Sequence, residues 1–260
     1  MTATTFRNPP IDEVVCSVYF ASERPMRTVD IGVYWESIQS DFPGVSDQAP
    51  IAIIKTVAAQ QEIEIDIPTL PPLRRVWFES ADGTRLIQIQ SGQFHYNWRR
   101  RQGNQQYPRY EKVVTEFLDA WERFSSWSKD HGPGNLKPSQ YELSYINQLS
   151  GANGLTTPGR CHELLRYMAK IDNGTLPEPV GISNDLIFPV SEGNGQFHIS
   201  TRQGIRIPES IPVITVRLTA RGYSEKSSLR DWFANARNLI VSSFRDLTTA
   251  KAHEIWGLEK

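Results

Sequence analysis

Residues 75–99 read RVWFESADGTRLIQIQSGQFHYNWR, and their alternation decides the fold. Ile87 and Ile89 fall on one side of the chain and Gln88 and Gln90 on the other. Phe94, Tyr96 and Trp98 repeat the same period. A spacing of two belongs to strands with one covered face. Asp82-Gly83 and Ser91-Gly92 interrupt the pattern, and Asp-Gly between alternating runs is a hairpin signal. The stretch is therefore expected to form an antiparallel meander with strands over 75–80, 86–90 and 93–99.

Upstream, residues 11–20 are β-branched and aromatic and follow Pro9-Pro10, which excludes a helix just before them. Ile31, Tyr34, Trp35 and Ile38 recur at helical spacing within 30–42, and Pro43-Gly44 ends that short helix. Ile63, Ile65 and Ile67 alternate with acids over 62–67, which predicts another strand. Downstream, Tyr110, Val113, Val114, Phe117, Leu118, Trp121 and Phe124 draw one apolar stripe along a long helix over 108–127, with Pro108 in its first turn.

The rest of the chain repeats this order. Strands are expected at 141–149, 185–190, 196–201 and 213–220, a short helix at 161–170 and a terminal helix at 228–247, the last starting at a capping-box-like Ser228 and Asp231. The expectation is an α+β protein of two similar halves, residues 1–130 and 131–260, separate or fused into one compact unit. Each half is an antiparallel sheet with a short and a long helix packed on one face. Phe117, Trp121, Trp232 and Phe233 are expected to be buried against the sheets.

Composition limits the function classes. The 260 residues carry 28 Lys+Arg against 29 Asp+Glu, for a formal charge of -1, and 39% hydrophobic residues. This balance excludes a disordered chain and a chain-wide electrostatic grip on nucleic acid or anionic lipid. Two cysteines are too few for a secreted disulfide framework. The polar stretch from Met1 to Pro10 lacks a basic and apolar leader, and no apolar run approaches the roughly 20 residues of a spanning helix. The expectation is a cytoplasmic protein with no membrane contact.

Catalytic signals are sparse. The five histidines, His95, His131, His162, His198 and His253, are dispersed. None forms a zincin pair, and no paired-cysteine motif occurs, so neither a metal nor a cofactor is expected. No Gly-x-Ser-x-Gly elbow or phosphate loop is present, and Gly193-Asn194-Gly195 reads as a hairpin turn. Cys16 lies in an apolar strand, where a thiol stays protonated. Cys161 beside His162 at a helix start is the better nucleophile candidate, although neighbours on a helix point apart. His95 and His198 occupy comparable hairpin strands; the simplest reading puts both on the solvent side.

One basic cluster stands out. Arg99, Arg100 and Arg101 follow Trp98, and the meander brings Arg74, Arg75 and Arg85 near them. Arginines beside a stackable aromatic suit a nucleic-acid backbone, a nucleotide or an acidic protein face. The competing reading, which three aromatics at period two favour, makes the aromatics the core face and the arginines a solvated strand end.

An ordered series of short motifs runs through the chain: Asn8-Pro9-Pro10-Ile11, Phe78 to Gly83, Leu86 to Gln90, Asn97-Trp98-Arg99, Tyr107-Pro108-x-Tyr110, Tyr145-Ile146-Asn147, and His253-Glu254-x-Trp256-Gly257. The series resembles a sporadically distributed prokaryotic family of uncharacterised proteins of about this length. The resemblance implies no catalytic residue. Its patchy distribution implies an accessory gene of the toxin–antitoxin or phage-defence kind, with a protein partner encoded nearby.

The expected function is thus a non-catalytic binding or assembly protein of such a system. Its binding surface is Arg74, Arg75, Arg85, Trp98, Arg99, Arg100 and Arg101, facing a protein or nucleic acid. The alternatives are a nucleotide- or nucleic-acid-processing hydrolase using His95 or His198, and a small-ligand-binding α+β module.

Overall fold

The computed structural model describes residues 5–51, 73–101, 105–170, 174–177, 179, 181–190, 195–207, 209–223 and 227–259. The strand expected at 62–67 lies outside them. The elements in chain order are β1 (Thr5–Phe6), β2 (Ile11–Ser22), α1 (Thr28–Ile38), β3 (Gly44–Gln48), β4 (Arg75–Glu79), β5 (Arg85–Gln90), β6 (Gln93–Arg99), α2 (Tyr110–His131), β7 (Leu136–Leu149), β8 (Ser183–Val190), β9 (Gly195–Arg206), β10 (Ile211–Tyr223), α3 (Leu229–Leu247), α4 (Ala250–Trp256) and β11 (Leu258–Glu259).

Nine strands form one antiparallel sheet in the order β3-β4-β5-β6-β2-β7-β10-β9-β8. At its centre β2 pairs with β7, Cys16 opposite Leu143. The sheet is therefore continuous across the Gly132–Gly134 break. The chain ends form a separate two-stranded sheet, with Phe6 opposite Leu258.

Both long helices cover the same face of the large sheet. Phe124 of α2 stacks on Phe94 of β6 at 5.0 Å, Phe233 of α3 lies 6.2 Å from Tyr141 of β7, and Phe117 meets Phe233 at 4.8 Å between the helices. Phe117 and Phe233 are fully buried, as expected. Trp121 and Trp232 are only partly buried and pack on the rim of the core. Ser228 caps α3 by accepting the amide of Asp231 at 3.1 Å.

The helix expected at 161–170 is absent. A 3-10 turn over Pro158–Glu163 overlaps only its start, and another lies upstream at Gly151–Asn153. The segment's backbone is drawn into tertiary hydrogen bonds instead: Arg166 N–H donates to Leu247 O at 2.8 Å and Thr249 N–H to Leu164 O at 3.0 Å. Groups spent on the α3–α4 junction cannot close helical turns.

The opposite face of the sheet is polar and also largely buried. Ser17, Gln93, His95, Asn97, Glu142, Ser144 and Thr219 are each below 9% exposed. Buried polar groups are tolerated where they satisfy one another, and most of these do, although Gln93 Nε2 has no partner among the described residues. Ser17 Oγ bonds His95 Nδ1 at 2.7 Å, Gln88 Nε2 donates to Asn97 Oδ1 at 2.8 Å, and Ser144 bonds Thr219 at 2.7 Å.

Candidate functional site: a cleft between the long helices

The cleft opens where α2 begins. Its lining comes from Thr5 and Phe6 of β1, Pro9 and Ile11, the segment Tyr107–Glu111, Tyr145 of β7, Arg237 and Val241 of α3, and Glu259 of β11. Its volume is about 350 Å³. It adjoins a small apolar hollow of about 30 Å³, lined by Asn147, Leu218, Ile240 and Phe244 together with Phe6, Pro9, Ile11, Tyr145 and Val241.

Arg109 marks the entry. It precedes α2 with φ 74° and ψ 157°, a region that side chains other than glycine's occupy only under strain. Its guanidinium is held by the chain terminus, Nη1 donating to Phe6 O at 2.8 Å. The side chain of the N-cap residue, Arg109, makes no capping hydrogen bond to α2. The first amides of a helix lack intrahelical acceptors, and the helix dipole adds positive potential there.

Arg237 stands across from this helix end. Its guanidinium carbon lies 5.8 Å from the Tyr110 ring centroid, and Nη1 donates to Asn238 at 3.2 Å. Its Nε is buried without a partner. Tyr107 and Tyr145 share a hydroxyl–hydroxyl bond of 3.3 Å, and burial pushes both phenols above their ordinary values, so they stay neutral. Of the acids on the rim, Glu259 accepts from Thr5 Oγ1 at 2.9 Å, and Glu111 is exposed in the first turn of α2. Positive groups at the mouth and apolar walls behind it suit an amphiphilic anion.

The structure divides the arginine cluster read from the sequence between the two faces of the sheet. Arg85 and Trp98 share the helix face, with Arg85 over the Phe42 ring at 5.5 Å and Trp98 buried against Tyr107 at 5.3 Å. Arg75 and Arg99 lie on the polar face, each over the Trp77 ring. Arg75 also donates to Gln88 Oε1 at 2.8 Å. Arg99 is buried and paired with Glu79, which Arg101 contacts at 2.6 Å. Arg74 pairs with Asp47 at 3.1 Å, and Arg100 is half-buried, where Asp12 and Arg206 act on it. Glu79 therefore gathers Arg99 and Arg101, and Trp77 brings Arg75 beside Arg99, while Arg85 and Trp98 lie on the opposite face and Arg74 pairs apart with Asp47.

The histidines are not on a solvent side. His95 is buried and His198 half-buried, and the charge of Glu142 acts on both. Arg221 Nε donates to Glu142, and its Nη1 lies 3.5 Å from His198 Nε2. Burial pushes both imidazoles down to about 4, so they are neutral at pH 7. Burial pushes Glu142 up, but the charge and hydrogen bond of Arg221 outweigh it and hold the carboxyl below its ordinary range. Cys16 and Cys161 are buried, and burial raises both thiols. Among the described residues no cluster of His, Cys, Asp and Glu could hold a metal ion, and no helix is long and apolar enough to cross a membrane.

No family model matches the chain, and no curated protein and no solved structure is similar to it.

Proposed function

We propose that this chain is a non-catalytic binding protein that takes a small organic anion with an apolar body into the cleft between α2 and α3. The observation that carries this reading is Arg237: a guanidinium whose buried Nε has no partner among the described residues, lining a partly apolar cleft opposite the start of α2, which its N-cap Arg109 does not cap. A carboxylate or phosphate would meet that donor and the helix amides, and its apolar part would line Val241 and the adjoining hollow. Binding is favoured over hydrolysis because Ser17, His95, Glu142 and Arg221 are spent on hydrogen bonds with one another and with their neighbours. We read the sheet as two copies of one plan meeting at β2 and β7, with α2 and α3 as equivalent helices, so that the cleft lies at their shared seam.

A thermal-shift comparison tests the reading. Octanoate and octyl phosphate should raise the melting temperature of the full chain, and octanamide and octanol should not. Equal effects of anion and neutral analogue, or no effect of either, would remove it.

A further inference from the structure

We propose that a second cavity, independent of the cleft, is a seat for a free amino acid. It lies between α1, α2 and the sheet, with a volume of about 150 Å³. Its lining includes Tyr34 of α1, Arg85 and Ile87 of β5, and Glu116 and Asp119 of α2.

Four observations point to a zwitterion. Tyr34 is fully buried, yet its hydroxyl has no hydrogen-bond partner, an arrangement that is costly unless something fills it. Arg123, another residue lining the cavity, acts on that phenol through its charge. Arg85 lies over the Phe42 ring and makes no ion pair among the described residues. Glu116 uses Oε2 to accept the Tyr96 hydroxyl at 2.7 Å, and neither Glu116 nor the exposed Asp119 has an ion-pair partner among the described residues.

Arg123 and Asp41, by contrast, neutralise each other at 3.0 Å. Among the described residues the cavity therefore offers one cation and two carboxylates without an ion-pair partner, around an apolar floor. A carboxylate fits Arg85, an ammonium fits Glu116 and Asp119, and a short apolar side chain fits Ile87. Only a molecule carrying both charges on a small body answers all of these at once.

The experiment is calorimetric titration of the full chain with the standard free L-amino acids, and with butylamine and butyrate as the separated halves. At least one apolar amino acid should bind, with butylamine and butyrate each weaker by tenfold or more. Arg85→Gln and Glu116→Gln should each lower the amino-acid affinity by about tenfold or more. Melting without ligand should be unchanged, since Gln at 116 keeps an acceptor for Tyr96. Arg237→Gln should leave amino-acid binding intact, which separates this seat from the cleft. If no amino acid binds at millimolar concentration, if butylamine binds as tightly as the zwitterion, or if affinity survives both substitutions, the proposal fails.

Discussion

Arg237 holds its guanidinium over the ring of Tyr110 at 5.8 Å, and its Nε finds no acceptor. The two residues belong to different long helices, so the contact spans the cleft. A cation over an aromatic face is stabilised by the ring quadrupole, yet that contact does not satisfy an N–H. Arg237→Gln should therefore cost little stability, within about 1 kcal/mol in denaturant unfolding, because among the described residues the side chain hydrogen-bonds only its neighbour Asn238. It should lower octanoate affinity by tenfold or more. Unfolding and titration of the same variant check both halves of this statement.

Acid should destabilise the protein through His95 and His198. Both sit at about 4 when folded against an ordinary 6.5. The unfolded chain therefore binds more protons between these values, so stability is fully present above about pH 6.5 and is lost as pH falls towards 4. At pH 5 the buried His95 alone should account for about 2 kcal/mol, and the half-buried His198 for less. His95→Gln should flatten the dependence. Urea midpoints measured from pH 7 to pH 5 read this directly, and an unchanged slope in the variant would exclude His95 as its source.

Arg99 and Arg101 meet the same carboxylate but should differ in weight. The side chain of Arg99 is 10% exposed and that of Arg101 43%. Breaking a buried pair strands a charge, so Arg99→Met should cost roughly 3 kcal/mol, with Glu79 remaining partly solvated. Arg101→Met should cost under about 1 kcal/mol. Equal losses in denaturant unfolding would contradict the assigned burial.

Phe117 joins the two long helices through Phe233 at 4.8 Å. Phe117→Ala should cost about 3–5 kcal/mol, by lost transfer energy and the cavity left behind. Trp121→Ala, on the rim, should cost less. Thermal and urea unfolding of the pair establish the order.

Much of this architecture is legible in residues 75–99. The strand at Gln93–Arg99 has the bounds that the alternation predicts, and the capped start of α3 follows from Ser228 and Asp231. Alternation separates the two sides of a strand but does not say that the polar side is covered. His95 therefore looks solvent-facing in sequence and is buried in the fold. The helix pattern at 161–170 misleads because its periodic leucines, Leu164 and Leu165, are buried through contacts with the α3–α4 junction, not through a helical face. The cleft leaves no local mark. Its residues come from Thr5, Tyr107, Tyr145, Arg237 and Glu259, and only the pairing of the chain ends and the meeting of α2 with α3 brings them together. Nor does any motif announce the positive φ of Arg109.

The most direct measurement is the NMR resonance of the Arg237 side-chain Nε–H, assigned through Arg237→Lys, followed as octanoate is added. The account predicts a saturable shift of that resonance together with the backbone amides of Tyr110, Glu111 and Lys112. An unmoved Nε–H, with octanoate either not binding or shifting resonances elsewhere, would contradict it.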